Sequence, residues 1–174
     1  ERAARARVRS IEHGNLIDEA SAKFMAQEGC YLVPTLVTYD QIAEFGKKLR
    51  FPQESLKKLD AVFGAGLGAL EIAKRAGVKM GFGTDLLGET HPAQSKEFVL
   101  RAQVLPAAEI IASATLVNAE LIGQAGKLGV LAPGAPADLL LVDGDPLADI
   151  GVLNGQGERM DLIVRGGEIV VNRL

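Results

Sequence analysis

The chain of 174 residues has one cysteine, two histidines and no large excess of either charge. It also has no apolar run near the ~20 residues that a membrane-crossing helix requires. Each shortage excludes something. Cys30 alone cannot form an internal disulfide, so it reads as a buried structural thiol, which suits a reducing compartment. With 19 Lys and Arg against 22 Asp and Glu, the net charge is −3, so a nucleic-acid surface is not expected. The one local exception, "ERAARARVR" at residues 1–9, reads as the solvated face of a helix because Ala3, Ala6 and Val8 interleave with the charges. No membrane partner is expected. No signal peptide and no initiator Met are found; the location expected is cytoplasmic, though a missing N-terminus would hide a targeting signal. Fixed-period repeats and low-complexity segments are also absent.

Apolar residues make up 48% of the chain, enough for one substantial core and a small second lobe. Their periodicity alternates between short and long elements. "VRSIEH" (8–13) predicts a short strand. "NLIDEASAKFMAQEG" predicts a helix with Asn15 as cap, Ile17, Ala20 and Phe24 on one face, and Gly29 as stop. "CYLVPTL" (30–36) predicts a buried strand, and residues 38–50 a long polar connection. Pro52 opens a long helix that ends at Gly77. "VKMGFGTD" (78–85) predicts another strand, "LLGETHPAQ" a loop, and "SKEFVLRAQV" and "PAAEIIASATLVNAELIG" two helices. This order implies parallel βαβ units over residues 1–125. From residue 126 to 174 the chain becomes turn-rich, with a strand at 138–142 and a hairpin around Gly166-Gly167.

Within "LDAVFGAGLGALEIAKRAGVKMGFGTD" (59–85), Gly64, Gly66 and Ala69 fit a dinucleotide-binding turn, with Asp85 about 20 residues on as the ribose-binding acid. That reading requires "LDAVF" to be a central strand and buries Asp60 in it, a cost without a partner. A helix accounts for more residues, since Leu56, Leu59, Phe63, Leu67 and Leu70 recur at spacings of 3 and 4. Both readings stand at this point.

In the strand ending at Asp85, Val78, Met80 and Phe82 share one face, while Lys79, Gly81, Gly83 and Asp85 share the other. Inside a closed parallel barrel the second face would leave space and set Asp85 at the C-terminal mouth, where catalytic groups sit. Alternatively, the glycines serve packing and Asp85 caps a turn. His13 ends the first strand, directly before Gly14, and would lie at the same mouth. Imidazole and carboxylate together suit Zn²⁺ or a similar ion, although a lone His is more often just hydrogen-bonded. His91, in the following loop, is either a solvated residue or a substrate contact.

"SIEHG" (10–14), "GTD" (83–85), "NAELIGQAGKLGVLAPGAPADLLLVDGDPL" (118–147) and "DLIVRGGEIVV" (161–171) together resemble the C-terminal half of the amidohydrolase superfamily. The likeness is greatest to the branch of imidazolonepropionase-like enzymes and metal-dependent Xaa-Pro dipeptidases. The resemblance implies an α/β fold: the last three βα units of a (β/α)₈ TIM barrel over 1–125, then part of a small β-sandwich lobe over 126–174. It implies that His13 and Asp85 bind metal, Zn²⁺ in one or two copies in the full-length enzyme, and that Asp85 also handles the proton of the attacking water. His91 becomes a candidate contact to a dipeptide or other small-molecule substrate.

The superfamily's H-x-H pair, its carboxylated Lys and its fifth-strand His are not matched in this sequence. Three βα units cannot close an eight-stranded barrel, which takes about 250 residues. The chain is therefore expected to be a C-terminal fragment of a hydrolase of C–N bonds, inactive alone. It should also self-associate or form a homo-oligomer through the strand edge and apolar seams it exposes. Xaa-Pro or N-acyl amino acid hydrolysis is the leading substrate reading, followed by a cyclic amidase. A non-catalytic half-barrel and the dinucleotide module remain as readings of another class.

Overall fold

The computed structural model describes residues 1–48 and 50–174. The fold is mixed α/β. A short helix, α1 (Arg2–Arg5), leads into strand β1 (Ser10–Glu12), helix α2 (Glu19–Gln27) and strand β2 (Tyr31–Val33). Strands β1 and β2 pair in parallel, with Ser10 opposite Tyr31 and Glu12 opposite Val33. In α1 the one buried residue is Ala4, while Ala3, Ala6 and the charged residues are exposed, so the basic run is a solvated helical stretch, as the sequence suggested. The cap of α2 is Asp18, whose carboxylate accepts from Ser21 N at 2.7 Å, rather than Asn15. Asn15 is buried and instead donates to Val62 O at 3.1 Å, tying the β1–α2 turn to a later helix. The buried face of α2 is Ala22 and Met25, with Ile17 and Phe24 at its margin and Ala20 exposed.

The expected polar connection at 38–50 is largely a helix, α3 (Leu36–Lys48); Leu49, which that connection included, lies outside the described residues. Helix α3 packs on α4 (Gln53–Ala76), and Gly46 allows the approach, since a Cβ there would lie 2.9 Å from both Leu56 and Phe51 side-chain atoms. Helix α4 runs from Pro52 to a left-handed Gly77 with φ 76°. Gly64, Gly66 and Ala69 all lie inside it, which removes the strand–turn–helix context a dinucleotide site requires. Its most buried positions are Gly66, Ala69, Leu70 and Ala73, so the apolar stripe deepens toward the C-terminal half.

The expected strand at 78–85 is reduced to one parallel bridge, Leu32 to Met80, with Leu32 N donating to Lys79 O and Gly81 N to Leu32 O. On its other side the Asn118 amide takes the groups a further ladder would use. Asn118 Oδ1 accepts from Phe82 N at 2.9 Å, and Nδ2 donates to Phe82 O at 3.0 Å. The segment 86–94, expected as a loop, holds a 3₁₀ turn at Gly88–Ala93. Helix α5 (Lys96–Arg101) follows, then a continuous helical stretch of α6 (Ala107–Ala112), a π-turn (Ser113–Val117) and α7 (Asn118–Leu121). The hydroxyls of Ser113 and Thr115 bond back to Ile110 O and Ile111 O at this irregularity.

Strands β3 (Leu139–Val142), β4 (Met160–Arg165) and β5 (Glu168–Asn172) form an antiparallel sheet in that order. Gly166 and Gly167, at φ 58° and 86°, make the tight hairpin turn between β4 and β5. Between β3 and β4 a short 3₁₀ turn buries Ile150, Val152 and Leu153 in the same core as Leu36, Leu70 and Leu100. A second core unites Ala22, Met25, Leu32, Ala73 and Val78 with Cys30, a buried thiol whose pKa is raised by burial, as expected of a structural cysteine.

Candidate active site

The ends of β1, of β2 and of the segment 78–85 converge on one small polar cluster. β1 runs on through a hydrogen bond from His13 N to Val33 O at 2.9 Å, then turns at His13 and Gly14, both left-handed with φ 65° and 64°. Glycine is required at 14, because a Cβ there would run into the Leu32 side chain. Asp85 is also left-handed, with φ 50°. Non-glycine residues seldom adopt this conformation, although Asp and His tolerate it better than most. Its occurrence at both polar strand ends marks them as a locally strained pair.

The two side chains face each other, with His13 Nε2 3.8 Å from Asp85 Oδ2. They are 39% and 56% exposed, open enough to meet a solute. The other ring nitrogen, His13 Nδ1, is hydrogen-bonded to Thr35 Oγ1 at 2.7 Å. Thr38 Oγ1 donates to the backbone carbonyl of Asp85 at 3.1 Å, leaving the carboxylate free of that contact. Tyr39 sets its ring edge-on to His13, with centroids 6.1 Å apart. Burial first, and then the Asp85 carboxylate, push the Tyr39 phenol above its ordinary pKa.

His13 and Asp85 are thus brought together, and His91 is held differently. Its Nε2 bonds Leu86 O at 2.9 Å, a contact within its own loop. Gly81 and Gly83 do not leave empty space, as the two-faced strand suggested. A Cβ on Gly83 would lie 2.9 Å from Val33 Cγ1, and one on Gly81 would lie 2.9 Å from Asn118 Oδ1. The glycines admit neighbouring side chains rather than a cavity.

Sequence reasoning missed Thr35, in the turn after β2, and Thr38 and Tyr39, in the first turn of α3. It also missed a fully buried ion pair on α5, Arg101 Nε to Glu97 Oε1 at 2.7 Å. Its i, i+4 spacing is visible in "KEFVLR", but such pairs are usually solvated. Burial pushes the Glu97 carboxyl upward, with the Arg101 guanidinium and the Val37 amide pulling against it.

The donor set fits a divalent ion in part. It offers one imidazole nitrogen and one carboxylate oxygen, and the second ring nitrogen is fixed by a hydrogen bond, here to a hydroxyl, as metal-bound histidines usually have their second nitrogen fixed by a hydrogen bond. Among the described residues no group of three His, Cys, Asp or Glu side chains is gathered around a common point. Two ligands are therefore what the described residues offer at that spot.

The sequence profile of the amidohydrolase family matches residues 1–170. The ochratoxinase of Aspergillus niger is 31% identical over 170 residues, 96% of this chain and 35% of that protein. Among solved structures, a prolidase complexed with N-methylphosphonate-L-proline shares 51% identity at a TM-score of 0.92. An Xaa-Pro dipeptidase with methionine bound in its active site shares 35% at a TM-score of 0.86. Each of these two alignments covers 98% of this chain and 42% of the other. The chain belongs to the amidohydrolase family. It spans well under half the length of these relatives.

Proposed function

We propose that this chain is the C-terminal barrel portion of a metal-dependent hydrolase of amide bonds, acting on Xaa-Pro dipeptides or related N-acyl amino acids. In this reading β1, β2 and the segment 78–85 are the last three strands of a (β/α)₈ barrel, and β3–β5 belong to its small β lobe. The observation that carries the reading is the His13–Asp85 pair, 3.8 Å apart at the ends of two parallel segments that flank β2. The prolidase and dipeptidase structures support the substrate class at 51% and 35% identity.

His13 Nε2 and Asp85 Oδ2 would hold a divalent ion, with Zn²⁺ the ion suited to an imidazole and a carboxylate. When bound, such an ion supplies Lewis acidity, lowering the pKa of water at the site and polarising the amide carbonyl. Thr35 fixes the imidazole through Nδ1, so that Nε2 is the nitrogen presented. Asp85 accepts the proton of the attacking water on its carboxylate and passes it to the amine nitrogen as the C–N bond breaks. Thr38 holds the Asp85 carbonyl, keeping the carboxylate aimed outward. His91 is the candidate contact to the substrate, a role in which its bond to Leu86 O would be exchanged for one to the ligand.

The test is kinetic. In a protein of the relatives' full length carrying this chain, Asp85→Asn should lower kcat on an Xaa-Pro dipeptide by about 10²–10⁴-fold. Unchanged kcat would remove Asp85 from the reaction. The 174-residue chain by itself, given Zn²⁺, should turn over no dipeptide; turnover by that chain would refute the reading of it as a portion of the site.

A further inference from the structure

The Glu97–Arg101 pair has no exposed side-chain surface, yet it does more than neutralise itself. Arg101 Nη2 donates to Pro34 O at 2.7 Å and Nη1 to Gly81 O at 2.8 Å. Glu97 Oε2 accepts from Val37 N at 2.8 Å. One guanidinium therefore joins the end of β2 to the segment that leads to Asp85. One carboxylate fixes the first turn of α3. Between the two anchored backbone groups, Pro34 O and Val37 N, lies Thr35, the hydrogen-bond partner of His13. Directly after them lies Thr38, the partner of the Asp85 carbonyl. The guanidinium is itself held in place, stacked 4.5 Å from the centre of the Phe82 ring.

Replacing a buried ion pair with apolar residues of similar volume is often neutral or stabilising, so stability alone is a weak reason for such a pair. A planar fork that binds two carbonyls on different segments, however, has a geometry no apolar side chain reproduces. We infer that Glu97 and Arg101 are positioning residues, which set the distance and orientation of His13 and Asp85 through the turn at residues 34–38. The inference rests on the reading of those two residues as the reacting pair.

The experiment is magnetic resonance of the 174-residue chain at one fixed pH. It has two histidines, and His91, tied to Leu86 O within its own loop, serves as the internal reference. Arg101→Lys keeps a charge against Glu97 but cannot donate as a fork to both carbonyls. Its His13 ring signals should move in the direction in which Thr35→Val moves them, while those of His91 stay in place. The Zn²⁺ affinity of the chain should fall roughly tenfold, the scale of substitutions behind a metal ligand. A folded Arg101→Lys chain with parental His13 signals and parental Zn²⁺ affinity overturns the inference. If Arg101→Lys does not fold, the double variant Glu97→Leu with Arg101→Met is measured in the same two ways. Shifted His13 signals and weakened Zn²⁺ binding in that variant support the inference, and parental values of both overturn it. Failure of both variants to fold would leave the pair a purely structural role and also overturn it. His13→Gln and Asp85→Asn test the site separately. If neither weakens Zn²⁺ binding, the metal reading falls, while the His13 signals still decide the positioning.

Discussion

At the scale of single residues, what a side chain bonds to depends on which neighbours the fold brings within 3 Å or so of it. Asp18 shows this for a cap. Its carboxylate accepts from Ser21 N, and that bond holds its carboxyl below the ordinary 3.8. Because the folded value lies below the unfolded one, the cap's contribution is present above the ordinary carboxylate range and is lost as pH falls through the lowered value. Asp18→Ala should therefore melt at a lower temperature than the parent at pH 7, and the gap should narrow as the solution is acidified toward pH 3. A gap that does not change with pH would mean that the carboxylate is not the capping group. The sequence did point to a cap for this helix, but at Asn15, three residues early, because both types cap well. Burial decided between them: Asn15 is enclosed and committed to Val62 O. The candidate site was legible to a similar extent. That His13 and Asp85 lie close together was readable because each ends a strand-like stretch, His13 directly before Gly14 and Asp85 two residues after Gly83. Thr35 and Thr38 were not, since a threonine after a strand carries no mark of which imidazole or carbonyl it will meet.

At the scale of elements, α3 and α4 differ in how much of their helicity is local. Helix α4 was readable from its repeating leucines, its Pro52 start and its Gly77 stop. Helix α3 opens with β-branched Val37 and Thr38 and contains Asp40 and Gly46, all weak helix formers. Its first turn is satisfied by Glu97 Oε2 on Val37 N, a carboxylate 60 residues away. No local window of sequence shows that cap. The glycines of α4 give a direct test of which positions face neighbours. A Cβ on Gly64 or Gly68 meets nothing within 4 Å, whereas one on Gly66 would lie 2.7 Å from both Asn15 Nδ2 and Leu36 Cδ2. Both of those side chains are buried. Gly64→Ala and Gly68→Ala should each stabilise the chain by up to about 1 kcal/mol through helix propensity. Gly66→Ala should lower the melting temperature despite the same propensity gain. A stabilising Gly66→Ala in thermal unfolding would show that the Asn15 contact yields easily.

At the scale of the whole molecule, the chain leaves an apolar cleft of ≈ 1290 Å³ between the segment around Phe82, the α6–α7 stretch and the three-stranded sheet. Ile122, Leu131, Leu140 and Val170 line it and are 64%, 81%, 52% and 54% exposed. Such a contiguous patch is larger than the scattered apolar residues of an ordinary surface and costs free energy in water. The sheet adds to this, since β3 and β5 are its two edge strands, and edge strands are ready templates for pairing with another chain. A second copy of the chain can cover both features at once, apolar face against apolar face. We therefore predict that light scattering finds a mass above the 18.4 kDa of one chain, and that it falls toward that value on dilution. Leu131→Glu, which puts a charge at the most exposed of these four apolar positions, should shift the equilibrium to monomer while leaving the cores, and hence the circular dichroism, unchanged. A parent chain that is strictly monomeric at high concentration would show that water alone covers this face. A Leu131→Glu chain that associates as the parent does would instead move the contact to the strand edges, where the backbone rather than the side chains makes the bond.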